Sequence, residues 1–483
     1  MEFFSTRDRN NIRTPSQAVV EGIAPDSGLY LPSEFPPFPI ENLLGMTNDE
    51  ICTEVLSLYF TDFTREELLS FVKRAYASFD DGIIAPLQEV GERYIMELWH
   101  GKTCAFKDVA LSLLPYLLTA SAKKCGIQDG IMILTATSGD TGSAALSGFS
   151  DVEGTAITVF YPDGGVSPMQ KRQMVTDAGK NTAVCAIRGN FDDAQSAVKR
   201  IFTEVVPPQG KRFSSANSIN IGRLVPQIAY YFTAYRDLML TGKISLGDLV
   251  NFVVPTGNFG DILAGYFAKR MGLPVGKLVS ASNENKVLAD FFATGVYDRR
   301  REFLLTTSPS MDILISSNLE RLISLTVGCE KTKQYMKALS EEGVYSLSDE
   351  ELMRIRADFE GAWVNEEACN DVIRRVFVDY GYLIDPHTAV AYAASEHLNM
   401  TGVTVVLSTA SPYKFTSSVM KALGMELGES ENEFDAMRRL SSLTQTAIPA
   451  PLIKLETATK YHKDVVDIDD MAKYVLRHIE EVL

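Results

Sequence analysis

The sequence predicts an α/β protein built on two open, mostly parallel sheets and preceded by an N-terminal extension that is mainly helical. Three observations carry that prediction. From about residue 130, short apolar runs alternate with helical patterns, and strands joined through helices imply right-handed crossovers and parallel pairing. The chain has 483 residues, too many for one ordinary core, so two or three domains are expected. Hydrophobic residues make up 46% and charged residues 22%, the balance of a soluble globular protein.

Taken in order, residues 1–45 are rich in Pro and Gly, and Ala24 to Pro32 reads as a turn between short extended pieces. Amphipathic helices are expected near 48–60 and 64–78, the second opened by Thr64 with Glu67 three residues on, a capping-box pattern. Residues 109–118 are apolar at almost every position, so the helix after Lys107 has no wet face and should be buried; Pro115 should kink or divide it. Strands are expected at 131–134, 156–161, 182–187, 251–255, 278–281 and 403–407. Helices are expected from about Ser143, over 167–176, 191–204 and 223–240, and through most of the acidic stretch 310–400. The strand clusters give an extension over 1–98, a large α/β domain over 99–128 and 224–483, and a small α/β domain over 129–223.

Composition narrows the function classes. A formal charge of −16, from 46 Lys and Arg against 62 Asp and Glu, argues against a nucleic-acid partner, and no basic run contradicts it. The six cysteines form no CxxC pair and read as reduced thiols of a cytoplasmic protein. The five histidines have no metal-ligand spacing, so no metal site is expected. The first residues lack the apolar core of a signal peptide, and the longest apolar run, near 109–122, is too short and interrupted for a membrane span. No G-x-x-x-x-G-K-[ST] loop occurs, which disfavours an NTPase.

The chemistry concentrates at Lys107 and at loops that follow expected strands, where open α/β sheets place ligands. A lysine leading into a buried helix must reach water, pair with an acid, or serve as a neutral amine able to form a Schiff base. Thr135 to Gly142 joins a strand to a helix start and offers hydroxyls and free amides to a carboxylate or phosphate, or is an ordinary capped turn. Pro255 to Asp261 places Gly257 and Gly260 at another helix start, where backbone amides can approach a single phosphate. Leu407 to Phe415 carries hydroxyls that could bond a ring nitrogen or cap the next helix. Asn217 to Arg223 leads to an arginine suited either to bidentate phosphate binding or to a surface salt bridge. Reactive lysine, phosphate cradle, ring-nitrogen hydroxyl and second anion site together are the parts a pyridoxal-phosphate enzyme needs.

These residues resemble the threonine synthase family. The segment His100 to Asp108, centred on Ala105-Phe106-Lys107-Asp108, is similar to that family's pyridoxal-lysine segment. Ser5-Thr6-Arg7, Gly28-Leu29-Tyr30, Thr137 to Gly142, Asn217 to Arg223, Gly257 to Asp261, Ser308 to Ile313, Ser316-Ser317-Asn318, Asp385 to Ala389 and Ser408-Thr409-Ala410 also look like its motifs, in the expected order. The resemblance implies a fold type II pyridoxal-phosphate enzyme, tryptophan synthase β-like in fold. It also implies conversion of O-phospho-L-homoserine and water to L-threonine and phosphate, the last step of threonine biosynthesis. By that resemblance Lys107 is the catalytic residue and holds pyridoxal 5'-phosphate as an aldimine. Gly257, Asn258, Phe259, Gly260 and Asp261 surround the cofactor phosphate, and Thr409 meets the pyridine nitrogen. Thr137, Ser138, Asp140 and Thr141 face the substrate, with Asn217, Ser218 and Arg223 nearer its phosphate.

The chain departs from the family pattern at Lys102, where proline is usual, at Gly165, near which a basic residue is usual, and at Ser411 and Tyr413, which replace the His and Ala of a His-Pro-Ala-Lys-Phe segment. Because Ser411 and Tyr413 follow Thr409 closely, they raise a second expectation, a threonine-synthase-like phospho-lyase that releases 2-oxobutyrate and phosphate. A third is a non-catalytic descendant acting as a binding protein, which would have lost Lys107 or the glycine cradle; neither is lost. The expected partner is a small molecule, with no nucleic acid or membrane, and the assembly a monomer or small homo-oligomer.

Overall fold

The computed structural model describes residues 1–79, 82, 84–127, 130–428 and 431–483. The boundary expected between residues 128 and 129 lies outside the described residues.

Two parallel sheets organise the chain. The larger has six strands in the order Phe359–Trp363, Val275–Ser282, Val250–Pro255, Thr404–Ser408, Arg93–Glu97 and Leu87–Val90. All its pairings are parallel except the last, an edge hairpin. The smaller has five parallel strands in the order Asp464–Val466, Thr182–Ile187, Thr155–Pro162, Gly130–Ala136 and Lys211–Ser215. Its inner strand Thr155–Pro162 is buried at every position, as a strand covered by helices on both faces must be.

The expected strands and most expected helices are present, and the differences have local causes. Leu87–Val90, Arg93–Glu97, Lys211–Ser215, Phe359–Trp363 and Asp464–Val466 lacked the continuous apolar run that marks a doubly covered strand. Four of these five are edge strands and Arg93–Glu97 is next to one, where polar residues are tolerated. The helix after Lys107 is divided, into Lys107–Leu111 and Leu114–Lys124, with Pro115 in the first turn of the second piece. The single helix expected over 223–240 is instead Ile221–Leu224, a 3-10 turn Val225–Gln227 containing Pro226, and Ile228–Leu240. The helix expected from Ser143 starts at Asp140. Within 310–400 the helices are interrupted by the edge strand Phe359–Trp363 and by Val344–Ser346, which pairs with Val296–Asp298.

The expected domain limits shift at both ends of the chain. The N-terminal region is a three-stranded antiparallel sheet (Phe3–Ser5, Asp8–Arg13, Tyr30–Pro32) plus helices, and its last two strands, at 87–97, belong to the large sheet. After residue 460 the chain returns to the small sheet. Asp464–Val466 pairs with Thr182–Ile187, and Met471–Val482 lays Met471, Val475 and Ile479 into the core around Met132 and Phe160. Residues 224–483 therefore do not all build the large unit.

Candidate active site

One cavity of about 590 Å³, its solvent-facing mouth included, lies where the carboxyl ends of strands from both sheets meet. Lys107, Thr141, Ser218, Arg223, Pro255 to Asp261, Ser310, His387 and Thr409 line it. Sequence positions more than 300 residues apart thus share one site.

The Lys107 segment is fixed before the cavity is reached. The Asp108 carboxylate accepts from the Thr103 amide at 2.8 Å and the Thr103 hydroxyl at 2.7 Å, closing the turn ahead of the helix. A Cβ on Gly101 would come within 2.5 Å of Asp108, so this turn has no space for a side chain there. Ala105 bridges Ala410, and the Phe106 amide donates to the Thr409 carbonyl at 2.8 Å, which ties the lysine to the loop after Thr404–Ser408. The Lys107 ammonium stands 3.6 Å from Asp140 Oδ2. Burial pulls its pKa down, Asp140 opposes that, and Lys414 and Arg223 pull it down further.

Asp140 is the charge centre of the site. Its Oδ1 receives Lys414 Nζ at 2.7 Å and Gln170 Nε2 at 3.0 Å, while Oδ2 receives the Ser310 hydroxyl at 3.0 Å and faces Lys107. Burial alone would raise this carboxyl; the Lys414 and Lys107 ammoniums outweigh it and hold Asp140 far below the usual carboxylate range. Gln170 also closes the capping box of Pro168–Val175 with Ser167, so the amide that orients Asp140 is itself locked. Gly139 has φ 131°, and a Cβ there would lie 2.2 Å from the Gln170 side chain.

The cradle at 256–261 is shaped from behind. A Cβ on Gly257 would meet the Ser310 carbonyl at 2.4 Å, so the two backbones approach as only glycine allows. The Ser316 hydroxyl donates to the Gly257 carbonyl at 2.6 Å, and the Asn318 amide and side chain both donate to the Asn258 carbonyl, at 3.1 and 2.9 Å. Phe259 takes a left-handed φ of 63° at the mouth of Gly260–Arg270, with its ring packed away among Phe292 and Phe359. Arg321 closes the outer layer, donating to the carbonyls of Tyr30 at 2.8 Å and Ile219 at 2.6 Å and to the Asn318 side chain. The N-terminal sheet thereby buttresses the cradle.

The residues singled out from sequence divide by position. Lys107, Thr141, Ser218, Arg223, Gly257, Asn258, Phe259, Gly260, Asp261 and Thr409 all line the cavity. Thr137 is buried one layer back, its hydroxyl accepting from the Gly139 and Gly142 amides at 2.9 Å each; it holds the loop. Ser138 is half-buried on that loop. Asp140, expected to face substrate, has both oxygens committed to the lysines, Gln170 and Ser310. Asp261 accepts from the Tyr230 and Tyr231 hydroxyls through Oδ1, while its buried Oδ2 has no hydrogen-bond partner among the described residues. Burial pushes its carboxyl up to about 6 against the two tyrosines.

Arg223 is 3% exposed, donates through Nη1 to the Ala216 carbonyl at 2.9 Å, and carries a buried Nε with no partner among the described residues. Burial alone lowers its pKa to about 10. Asn217, beside it, has a buried Oδ1 equally without partner. This is not the surface salt bridge that remained open for Arg223.

Sequence reasoning gave no role to Ser310, His387, Gln227 or Lys414. His387 donates through Nδ1 to the helix-capping Asp385 at 2.6 Å and accepts from the Ser310 amide at Nε2, 3.2 Å away. Its signal was the Asp-Pro-His-Thr cap itself. Ser411 and Tyr413 do not reach the cavity: Ser411 caps the turn Pro412–Phe415, and the Tyr413 hydroxyl bonds Thr446 at 2.9 and 2.7 Å. Lys102 and Gly165 are exposed.

Comparison with known proteins places this geometry. The family model described as pyridoxal-phosphate dependent enzyme matches residues 87–411, threonine synthase N terminus matches 2–76, and threonine synthase, C-terminal, matches 388–475. Threonine synthase of Schizosaccharomyces pombe is 37% identical over 88% of this chain and 89% of its own length. The chain belongs to the pyridoxal-phosphate-dependent threonine synthase family. The crystal structure of pyridoxal-phosphate-bound threonine synthase from Brucella melitensis superposes with a TM-score of 0.88 at 35% identity, covering 99% of each chain, so the fold is that of the type II pyridoxal-phosphate enzymes. Threonine synthase-like 1 of Macaca fascicularis is 40% identical over 84% of this chain, and the chain spans 58% of that relative's length.

The site fits the cofactor this family uses. A phosphate monoester needs amide donors and no intruding side chain, which Gly257 and Gly260 provide at a helix start. An aldehyde needs an amine with a depressed pKa, which Lys107 provides.

Proposed function

We propose that this chain is a threonine synthase, converting O-phospho-L-homoserine and water to L-threonine and phosphate with pyridoxal 5'-phosphate held through Lys107. One observation carries the proposal. A single cavity joins a buried lysine amine biased toward its neutral form, a glycine-lined anion cradle, and a buried arginine whose Nε has no partner among the described residues.

Pyridoxal phosphate, when bound, supplies an electron sink that acidifies the C–H bonds near the substrate's amine. Gly257, Asn258, Phe259 and Gly260 offer backbone amides to its phosphate, and Thr409 offers a hydroxyl to its ring nitrogen. The Lys107 amine, its pKa lowered by burial, takes and returns protons at the substrate's Cα and Cβ. Thr141 and Ser218 present hydroxyls at the cavity wall for the substrate's carboxylate and phosphate. Arg223 meets the departing phosphate; its charge is already desolvated, so a dianion there gains a strong, charge-assisted bond without further reorganisation. We assign Thr137 and Ser138 to shaping the substrate loop, Asn217 to the substrate-phosphate side, and Asp140 and Asp261 to the charge balance around Lys107 and the cradle.

The identity to proteins named threonine synthase-like 1 supports a second reading, a phospho-lyase that releases 2-oxobutyrate and phosphate. The placement of Ser411 and Tyr413 outside the cavity removes the positional reason for it. The proposal includes a cytoplasmic protein acting on a small molecule as a monomer or small homo-oligomer, with no nucleic-acid or membrane partner. A formal charge of −16 supports this, and among the described residues no helix is long and apolar enough to cross a membrane.

The test is a product balance. Purified protein given O-phospho-L-homoserine should release threonine and phosphate one for one. Phosphate with 2-oxobutyrate would establish the lyase instead, and bound cofactor without phosphate release would refute the substrate.

A further inference from the structure

Lys414 is the most deeply buried charge near Lys107, its side chain wholly excluded from solvent. Its ammonium donates to Asp140 Oδ1 at 2.7 Å and to the Thr103 carbonyl at 2.9 Å. The Thr103 carbonyl also receives Gln173 Nε2 at 3.0 Å, so the lysine is seated in a prepared socket. Lys414 does not line the cavity, whereas Lys107, on the other side of the same carboxylate, does. A lone buried carboxylate beside a reactive amine would bind that amine's proton tightly and leave it cationic.

We propose that Lys414 is a positioning residue for Lys107, acting through Asp140. It is a second counter-ion of that carboxylate, so Asp140 stays ionised and oriented whether or not Lys107 carries a charge, and its hold on the Lys107 proton is weakened. The proposal rests on the assignment of Lys107 as the cofactor lysine. The groups that face the pair from neighbouring elements fit the role. Gln170 and Ser310 complete Asp140 with neutral donors; Asp108, held by Thr103, lies within electrostatic reach of Lys414; Arg223 and Asp261 lie within reach of Lys107.

The test follows how fast stripped holoenzyme recaptures pyridoxal phosphate, read as growth of the visible band. Capture needs the Lys107 lone pair: a C–N bond forms at the aldehyde carbon, the amine gives up its protons, and the carbonyl oxygen leaves as water. Removing the Lys414 charge raises the Lys107 pKa, so K414M should capture ~10-fold more slowly near pH 7. The deficit should close as pH rises into the alkaline range, where both proteins hold more neutral amine. K414R, which keeps the charge, should stay close to the wild-type rate. Capture by K414M at the wild-type rate, or a deficit independent of pH, would overturn the proposal in favour of simple packing. If K414M does not accumulate as folded protein, D140N/K414M carries the test. Removing the pair together should restore folded protein, and failure to do so would show that Lys414 fills space instead of balancing charge. Failure of the wild-type protein to capture the cofactor would instead refute the assignment of Lys107, which keeps the two outcomes apart.

Discussion

Arg223 is expected to cost stability in the absence of ligand and to return it on binding phosphate. Burial lowers its pKa from 12.5 to about 10, and the group is charged at neutral pH in both folded and unfolded chains. Because the folded pKa is depressed, the penalty is present at every pH below about 10. At 1.36 kcal/mol per unit it amounts to about 3 kcal/mol. Arg223→Gln removes that penalty and forfeits one hydrogen bond to the Ala216 carbonyl, worth about 1 kcal/mol, so the unliganded variant should be more stable by about 2 kcal/mol. The same substitution leaves a bound phosphate without its buried cation, a loss of roughly 3–4 kcal/mol, so inhibition by inorganic phosphate should weaken by about 10²–10³-fold. Thermal unfolding with and without phosphate measures both effects on one sample. A variant that is less stable without ligand and equally inhibited by phosphate would refute the assignment of Arg223 as a desolvated anion site.

Other substitutions probe the neighbouring groups. Gly257→Ala places a methyl 2.4 Å from the Ser310 carbonyl and must displace one backbone, so cofactor affinity by equilibrium dialysis should fall at least about tenfold; unchanged affinity would mean the cradle is not at Gly257. Asp261 has a folded pKa raised to about 6 from 3.8, so the stability it contributes is present below about pH 4 and lost as pH rises through 6. Asp261→Asn should therefore match the wild-type cofactor-free protein near pH 4 and exceed it by up to about 3 kcal/mol above pH 7, measured by denaturant unfolding. His478 shows the opposite sign: burial lowers its pKa from 6.5 to about 4, so its contribution is present above 6.5 and lost as pH falls through 4. His478→Gln should reduce the acid-induced loss of structure at the C-terminal helix by about 3 kcal/mol, and an unaltered acid transition would contradict this.

Much of this fold was legible because its inner strands are covered on both faces and therefore read as continuous apolar runs, as 131–134, 182–187 and 251–255 do. Strands such as Lys211–Ser215, with one apolar residue in five, carry no such mark and are defined only by their neighbours. The return of the chain after residue 460 to the small sheet depends on contacts across nearly 300 residues, which no local pattern encodes. In the site, the residues at strand ends could be found because loop chemistry is local: a lysine before an apolar helix, glycines after a strand. Lys414 and His387 escaped because their roles come from tertiary partners, Asp140 and Ser310. Asp140 was found but its direction was not, since only the folded chain brings Lys414 to it.

Reductive labelling shows which residue carries the cofactor in this cavity. Borohydride converts an amine–aldehyde linkage to a stable secondary amine, so the reduced holoprotein can be digested and the modified peptide sequenced by mass spectrometry. The pyridoxyl phosphate group should be found on Lys107, with no label and no visible band in Lys107→Ala. Label on another lysine, or a visible band that survives in Lys107→Ala, would contradict it.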